Sequence, residues 1–328
     1  MATDSPYRPF TPRAEQMALK PEISGNAING LGETQARPAR MVYWAPDPDT
    51  IPHGRMQRWF YQADPDNEHV NAARAWRAKL LEGDVPQKQG DPLERTPGEW
   101  FDALDAFCQT LPCEKCGVAQ MNPDWCYEDA TTQRKRIIVL GFHHDYEEIR
   151  HAPEGRAGAE VIRQYGRAAY SAKQVAGWLR LQGWDAEPLT GPMTGPVLMI
   201  PAAIAAGFGE LGKHGSLINP QFGSSFRLSA VLTDAPIETT PQQDHGIDDF
   251  CSHCRVCENA CPPHAISHEK QMVRGVERWY VDFDKCLPFF NQTNGCAICI
   301  AICPWSRPGT GLNLAEKLER RRNRLNDS

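Results

Sequence analysis

Eight of the twelve cysteines in this 328-residue chain lie within residues 251–303, most of them in two motifs typical of iron–sulfur proteins. The first motif has the spacing C-x₂-C-x₂-C-x₃-C-P and consists of Cys251, Cys254, Cys257 and Cys261. The second repeats the last three cysteines of that spacing, again followed by proline, and consists of Cys296, Cys299 and Cys303. Where two [4Fe–4S] clusters share such motifs, three closely spaced thiolates bind one cluster and the fourth reaches the other. The sequence therefore predicts a ferredoxin-like module with two [4Fe–4S] clusters.

The same rule assigns a set of four thiols to each cluster. We expect one cluster to be bound by Cys251, Cys254, Cys257 and Cys303. The other would then be bound by Cys261, Cys286, Cys296 and Cys299. Cys286 stands well before the second motif, which departs from a simple ferredoxin repeat. A pair of zinc sites is the alternative, because C-x₂-C also suits tetrahedral zinc, but it does not explain the crossed use of all eight thiols.

The other four cysteines are Cys108, Cys113, Cys116 and Cys126, and they include one C-x₂-C pair. Such a pair could bind a metal or act as a redox pair. No second pair and no histidine cluster with ligand spacing lies nearby in the sequence. We therefore interpret these residues as small, partly buried side chains.

Hydrophobic patterns predict the elements that must position this chemistry. We expect helices over 98–111 and 158–181, and strands over 136–142 and 226–232. The segment 197–206 predicts a short strand or helix start that continues as a helix after its proline. A glycine-dense loop over 207–215 follows. Alternating helices and strands of this kind indicate an α/β or α+β core, and we expect the α+β class.

The chain divides into four parts by composition. Residues 1–95 are polar and rich in proline and glycine, which favours an irregular wrapping segment. Residues 96–240 would form the α/β core and residues 241–310 the cluster module. Residues 311–328 would form a basic C-terminal helix.

Composition limits the classes of function. The net charge is −6, which disfavours a charge-driven nucleic-acid or membrane binder. No stretch approaches about 18 apolar residues, and no signal sequence is visible, so the sequence predicts a cytoplasmic protein without membrane partners. Disulfides would not explain the tight clustering of the cysteines.

The loop from 206 to 237 reads AGFGELGKHGSLINPQFGSSFRLSAVLTDAPI. With the cysteine motifs, it resembles the corrinoid-dependent reductive dehalogenases and their relatives, the epoxyqueuosine reductases, over residues 112–304. The resemblance implies a nitroreductase-like cobalamin-binding core joined to a two-cluster module. It also accounts for Cys286, since the second motif of these families begins with a distant cysteine.

The resemblance further implies that this loop holds cobalamin, because glycines let the backbone approach a large ligand closely. The residues it points to are Gly207, Gly209, Gly212, Lys213, His214, Gly215, Ser216, Asn219, Phe222 and Gly223. The D-x-H-x-x-G motif of proteins that ligate cobalt through histidine is absent from the sequence. We therefore expect base-off cobalamin, with His143 and His144 packing or lining the cavity.

The helix over 158–181 would supply the proton donor. Epoxyqueuosine reductases carry an aspartate near its start, whereas residues 165–171 contain no carboxylate here. The dehalogenases use a tyrosine, so the resemblance implies Tyr170 as first choice and Tyr165 as second, with Arg227 as the assisting cation. The alternatives are ordinary packing for each tyrosine and a solvated strand position for the arginine.

These features favour a cobalamin-dependent reductive dehalogenase acting on a small organohalide. Electrons would come from an external low-potential donor such as ferredoxin or flavodoxin. Two alternatives remain open: reduction of a modified tRNA base in the manner of epoxyqueuosine reductase, and a non-enzymatic electron carrier.

Overall fold

The computed structural model of the protein describes residues 5–193 and 195–326. Its helices are α1 Ala14–Met17, α2 Gly25–Asn29, α3 Gly54–Phe60, α4 Glu68–Leu80, α5 Pro97–Cys108, α6 Tyr146–Ile149, α7 Gly155–Leu181, α8 Met199–Ala205, α9 Ile247–His253, α10 Val256–Ala260, α11 Phe283–Gln292, α12 Ile298–Ala301 and α13 Thr310–Asn326. Its strands are β1 Lys115–Gln120, β2 Arg136–His143, β3 Ala186–Leu189, β4 Glu210–Leu211, β5 Leu217–Ile218, β6 Phe226–Thr233, β7 Gln271–Val273 and β8 Val276–Arg278. Each helix and strand predicted from hydrophobic periodicity is confirmed, with boundaries shifted by a few residues.

An antiparallel sheet with the strand order β1-β2-β6-β3 forms the centre of the core. β2 and β6 read as continuous apolar runs because both faces of the sheet are covered. Ile138, Leu140 and Phe142 of β2 pack on the side of α5 and α7. The alternate residues Ile137 and Val139 pack on the side of α8 and the glycine-rich loop. This alternation follows from the two-residue period of a strand.

The 27-residue helix α7 covers one face of the sheet and carries small residues where other elements approach. Ala168, Ala172 and Ala176 are fully buried toward the sheet. On another side of the helix, a Cβ at Gly166 would lie 2.6 Å from the Trp76 ring of α4. Glycine at this position therefore lets α4 pack closely along α7.

The N-terminal part of the chain is less irregular than its composition suggests. It contains α1 to α4, and α4 is capped by Asn67, whose side chain accepts a hydrogen bond from the backbone of Val70. The sequence prediction of an irregular segment misses these helices because their stability comes from packing on distant parts of the chain, not from a strong apolar stripe of their own.

This N-terminal part lies against the cysteine-rich module. The Tyr43 hydroxyl is 2.8 Å from Asn291 Oδ1, and the buried Gln16 donates its side-chain amide to the Pro288 carbonyl at 3.1 Å. Arg8 donates to the carbonyl of Cys261 at 2.6 Å. Within the described residues, no helix combines the length and the apolar character that crossing a bilayer requires.

Glycines in the loop after α8 allow one part of the backbone to cross another. Gly209 has a φ of +120°, and a Cβ there would lie 2.0 Å from the Ile218 carbonyl oxygen. Gly223 has a φ of +64°, and its Cβ would meet the Trp305 carbonyl oxygen at 2.5 Å. The close approach that favours glycine at these two positions is thus one of protein backbone to protein backbone.

We expect Gly209→Ala to destabilise the fold for two reasons: alanine is strained at this positive φ, and its Cβ would collide with the Ile218 carbonyl. Gly32→Ala is the matched control, because Gly32 also has a positive φ, +85°, but no atom lies within 4 Å of its added Cβ. Overpacking typically costs about 1–3 kcal/mol, so the two free energies of unfolding should differ by roughly that amount. Urea unfolding of the anaerobic proteins measures both. Equal stability of the two variants would contradict the crowding at Ile218.

Candidate active site and cluster-binding cysteines

The eight cysteines of the module form two groups of neighbouring thiols. The members of the first group, Cys251, Cys254, Cys257 and Cys303, line one small cavity. Burial, and then the neighbouring thiols, raise the pKa of Cys251, Cys257 and Cys303. Charge interactions connect the members of the second group, which are Cys261, Cys286, Cys296 and Cys299. The groups adjoin, since Cys299 also interacts with Cys257. This is the same crossed grouping that the spacing of the motifs predicts.

Burial makes these thiols poor acids in the absence of a metal ion. Burial, together with the neighbouring thiols, raises the pKa of Cys257 and of Cys286 to about 12. Metal ligation requires thiolates, so iron binding must release these protons. Hydrogen-bond donors are placed for the resulting sulfur charge: the backbone N–H of Lys213 donates to Cys251, and the Ser224 hydroxyl donates to Cys303. Such bonds tune cluster potential.

A cavity of about 550 Å³ lies between the start of β6, the loop before α8 and the glycine-rich loop. Its walls are mostly apolar, with side chains such as Leu189, Val197 and Leu228. Ser216 and Ser224 add hydroxyl groups. Because Ser224 also donates to Cys303, the first cysteine group lies directly behind this wall. We call this space the inner cavity.

A second cavity of about 640 Å³ lies between α4, α7 and the end of α11, and we call it the outer cavity. Aromatic side chains, among them Trp44, Phe60 and Phe290, form much of its lining. The residues that line both cavities are Tyr165, Gly191, Pro192, Met193 and Arg227. These shared residues form the boundary at which a group in one cavity would meet a molecule in the other.

Tyr165 and Arg227 are in contact at this boundary. Arg227 Nη1 donates to the Tyr165 hydroxyl at 3.3 Å, and the guanidinium carbon lies 4.7 Å from the centre of the tyrosine ring. Arg227 Nε is buried with no hydrogen-bond partner. The loop closes on the ring from the other side, since a Cβ at Gly191 would be 3.3 Å from Tyr165 Cε1. The pair therefore combines a phenol with a cation beside it.

Tyr170, the tyrosine preferred from the sequence, is not among the residues that line either cavity. It is half-buried on α7. Five residues advance the direction of a side chain by about 140° around an α-helix, so Tyr165 and Tyr170 cannot share a face. The structure thus brings the second-choice tyrosine to Arg227 and leaves the first choice away from it.

Ser216 is the residue of the predicted cobalamin-binding loop that lines the inner cavity. Lys213 and His214 instead border the first cysteine group. The buried Lys213 ammonium donates to the Cys254 carbonyl at 2.8 Å and lies 5.1 Å from the centre of the Trp279 ring. His214 Nδ1 accepts from the backbone of Ser216, and burial lowers the pKa of this histidine to about 4.

The other loop residues shape the loop itself. Asn219 donates to the Phe208 carbonyl at 3.0 Å and accepts from the backbone of Phe222. Phe222 packs against Phe226 and His143. The glycines predicted to face a ligand do not line the inner cavity, namely Gly207, Gly209, Gly212, Gly215 and Gly223. Most of the residues predicted to hold cobalamin therefore lie behind the wall of the inner cavity and not in its lining.

His143 and His144, the histidines predicted to pack or line the cavity, both pack. The ring of His143 stacks on Phe222, and His144 Nδ1 lies 3.2 Å from Ser225 Oγ. His144 is fully buried, and this burial, followed by the charge of Arg227, lowers its pKa well below the usual value. Its imidazole is thus neutral beside the arginine.

Sequence reasoning missed the segment 188–200, which forms one wall of the inner cavity through residues such as Thr190, Met193 and Met199. Tyr127 and Ile300 contribute from distant parts of the chain. The dense glycine and proline content of 188–196 could have indicated a functional loop. The contributions of Tyr127 and Ile300 have no local signal.

Three of the four cysteines outside the module meet in the core beneath the sheet. Cys108 makes side-chain hydrogen bonds with Cys113 and Cys116, and Cys116 Sγ lies 3.5 Å from Asp105 Oδ1. Cys126 is buried in the other half of the core. Over the described ranges, no three His, Cys, Asp or Glu side chains are placed to hold a single metal ion. A cluster distributes its four thiolates over several irons and does not require such convergence.

Comparison with known proteins identifies the module and the fold. A 4Fe-4S dicluster domain family matches residues 250–306. Tetrachloroethene reductive dehalogenase of Dehalobacter restrictus is 35% identical over 210 residues, which cover 60% of this chain and 37% of that protein. Epoxyqueuosine reductase of Synechococcus sp. (strain CC9605) is 30% identical over 189 residues, 52% of this chain and 49% of the relative.

A solved catabolic reductive dehalogenase, in complex with 3-bromo-4-hydroxybenzoic acid, superposes with a TM-score of 0.70 at 22% identity. The match covers 93% of this chain and 48% of that one. The expected α+β fold is thereby confirmed. The chain spans half or less of the length of each of these three proteins. The chain is similar to the reductive dehalogenases and contains a match to a 4Fe-4S dicluster domain, and the epoxyqueuosine reductases are more distant relatives.

Proposed function

We propose that this protein reductively removes halide from a small organohalide, using cobalamin in the inner cavity and two [4Fe–4S] clusters in the module. The observation that carries the proposal is the contact of Tyr165 with Arg227 at the boundary of the two cavities. A proton donor is needed where substrate in the outer cavity would meet the cofactor. The pair stands at that boundary.

The inner cavity has the character that a corrinoid requires. Its apolar walls suit the faces of a large planar ring, and the hydroxyls of Thr190, Ser216 and Ser224 suit polar side arms. Bound cobalamin would supply the low-valent cobalt that reduces the carbon–halogen bond. Among the described lining residues there is no histidine, so none of them would ligate the cobalt through an imidazole.

The reaction balances with two electrons and one proton: the carbon–halogen bond breaks, a carbon–hydrogen bond forms and a halide ion leaves. The two cysteine groups provide a route for single electrons from an external low-potential donor, such as ferredoxin or flavodoxin. Ser224, which donates to Cys303 and lines the inner cavity, marks where this route reaches the cofactor.

Tyr165 would donate the proton from its hydroxyl, and Arg227 would stabilise the phenolate that remains. A nearby cation favours the charged form of a phenol. Because His144 is held neutral by burial, Arg227 supplies the positive charge next to the tyrosine. The described residues lining the two cavities include no aspartate or glutamate, so a carboxylate donor of the epoxyqueuosine reductase kind has no counterpart among them.

Reconstituted protein should contain about eight irons and eight sulfides, since two cubanes need four of each. Cys286→Ser removes one thiol of the second group and should lower the iron content by about half. Cys126→Ser is the control, because this buried cysteine lies outside both groups. Iron and sulfide analysis with electron paramagnetic resonance (EPR) of the reduced proteins checks this. Two intact cluster signals in Cys286→Ser, or stoichiometric zinc in the wild type, would contradict the assignment.

Cobalamin added to the anaerobic protein should give a base-off spectrum, because the cavity offers no imidazole to the cobalt and the glycine-rich loop would hold the cofactor's nucleotide tail away from the metal. EPR of the Co(II) form reports this directly through the presence or absence of splitting from a nitrogen ligand. A nitrogen-split signal would show that an imidazole of the protein or the cofactor's own base ligates the metal.

Tyr165→Phe should lower dehalogenation by about 10²- to 10⁴-fold, the range typical of a positioned proton donor. It preserves the ring beside Arg227 and removes only the hydroxyl. Tyr170→Phe makes the same change five residues along the helix and should keep turnover near that of the wild type. Bromide release from bromophenols measures both, with cluster and cobalamin spectra as checks on integrity. Loss in Tyr170→Phe alone would reverse the assignment of the donor.

A further inference from the structure

The outer cavity concentrates positive charge. Arg74, Arg77 and Arg227 line it, whereas its described lining residues include no aspartate or glutamate. Arg227 is engaged with Tyr165, as described above. Arg74 and Arg77 both come from α4 and are three residues apart, so they lie on the same face of that helix. Two like charges at this spacing repel each other, and nothing in the lining neutralises them.

The local environment of each arginine leaves hydrogen-bonding capacity unused. Arg77 donates through Nη2 to the Gly191 carbonyl at 3.1 Å, but its Nε is buried without a partner. The guanidinium of Arg74 lies 5.4 Å from the centre of the Tyr61 ring. Burial raises the pKa of Tyr61, so this phenol stays neutral and does not offset the charge.

The arginines of the neighbouring helix show the usual alternative. Arg156 pairs with Glu148, Arg163 with Glu148 and Glu160, and Arg167 with Glu114. In the part of the chain that the structure describes, Arg74 and Arg77 have no carboxylate within 4.0 Å. Burying part of a cation that has no anionic partner costs free energy of desolvation, and a bound anion offsets this cost. Two such cations facing one cavity therefore indicate an anionic ligand.

The rest of the cavity suits an aromatic body. Trp44, Phe60, Phe290 and Ile162 supply flat and apolar surface, and Tyr165 stands at the inner end. Arginine is well matched to planar, bidentate recognition of a carboxylate.

We propose that Arg74 and Arg77 form an anion-binding subsite that selects aromatic organohalides carrying a carboxylate or a phenolate. The substrate class rests on the proposed dehalogenation, but the binding of the anion does not. The subsite holds the charged edge of the ring so that the carbon–halogen bond faces Tyr165.

Binding to the anaerobically reconstituted protein tests this without turnover. We expect 3-bromobenzoate to bind at least about tenfold more tightly than 3-bromobenzamide, its neutral isostere, by calorimetry. Arg77→Gln and Arg74→Gln should each weaken binding of the benzoate by about 10- to 100-fold, the range of a charged hydrogen bond. Binding of the amide should change little.

A second experiment compares 2,6-dibromophenolate with 2,6-dibromoanisole and shows whether the subsite binds phenolates as well as carboxylates.

Two further variants separate charge recognition from support of the loop at Gly191. Arg77→Lys should restore most of the preference for the benzoate, because it keeps the charge. Lys79→Gln removes an exposed cation from the same helix and should leave both ligands unaffected. Equal affinity of the wild type for benzoate and benzamide would overturn the subsite, as would equal losses for both ligands in Arg77→Gln and Arg74→Gln.

Bromide release, measured in parallel, separates the two proposals. Selective benzoate binding that depends on Arg74 and Arg77, without bromide release from any of these compounds, would refute the dehalogenation and leave the anion subsite standing. Release of bromide at equal efficiency from the benzoate and the benzamide would support dehalogenation and overturn the subsite.

Discussion

The close approach of residues 223–225 to residues 300–306 determines the arrangement of the rest of the site. Without a side chain at Gly223, the backbone passes within contact of the Trp305 carbonyl. The Ser224 backbone then donates to Ser306 Oγ at 3.1 Å, and its hydroxyl oxygen lies 3.2 Å from the Ile300 carbonyl oxygen. β6 begins two residues later and carries Arg227. A single crossing thus joins the core to the cysteine module and sets the distance between the first cysteine group and the inner cavity.

The N-terminal part of the chain supplies further walls of the site. Its helix α4 forms the outer wall of the outer cavity, and its aromatic residues pack on the module, as in the stacking of Phe60 on Phe290. The outer cavity therefore exists only where three separate stretches of chain meet. Two of its three arginines, Arg74 and Arg77, come from the stretch with the weakest sequence signal, which explains why these two are inconspicuous in the sequence.

Patterns formed by residues close together in the sequence predicted a large share of the structure. The cysteine spacing predicted the two thiol groups, because the crossed arrangement of a two-cluster module combines neighbouring thiols of one motif with one thiol of the other. Continuous apolar runs predicted β2 and β6, and the helical periodicity of apolar residues predicted α7.

Predictions of where a side chain points, or of which distant residue it contacts, were less accurate. Tyr170 was preferred over Tyr165 because the phase of α7 relative to the cavity depends on tertiary packing. The glycines of the loop were expected to face a ligand, whereas Gly209 and Gly223 accommodate other backbone segments.

The hydrogen bonds of Gln16 and Tyr43 also have a consequence for biosynthesis. Their partners, Pro288 and Asn291, lie 272 and 248 residues further along the chain. During translation the segment with Gln16 and Tyr43 therefore waits, without its final partners, until the cysteine module has been synthesised. Contacts of such long range close slowly. Gln16 and Tyr43 thus reach their final places only after residues 288–291 are made, and iron can enter the cysteine module before this segment covers it.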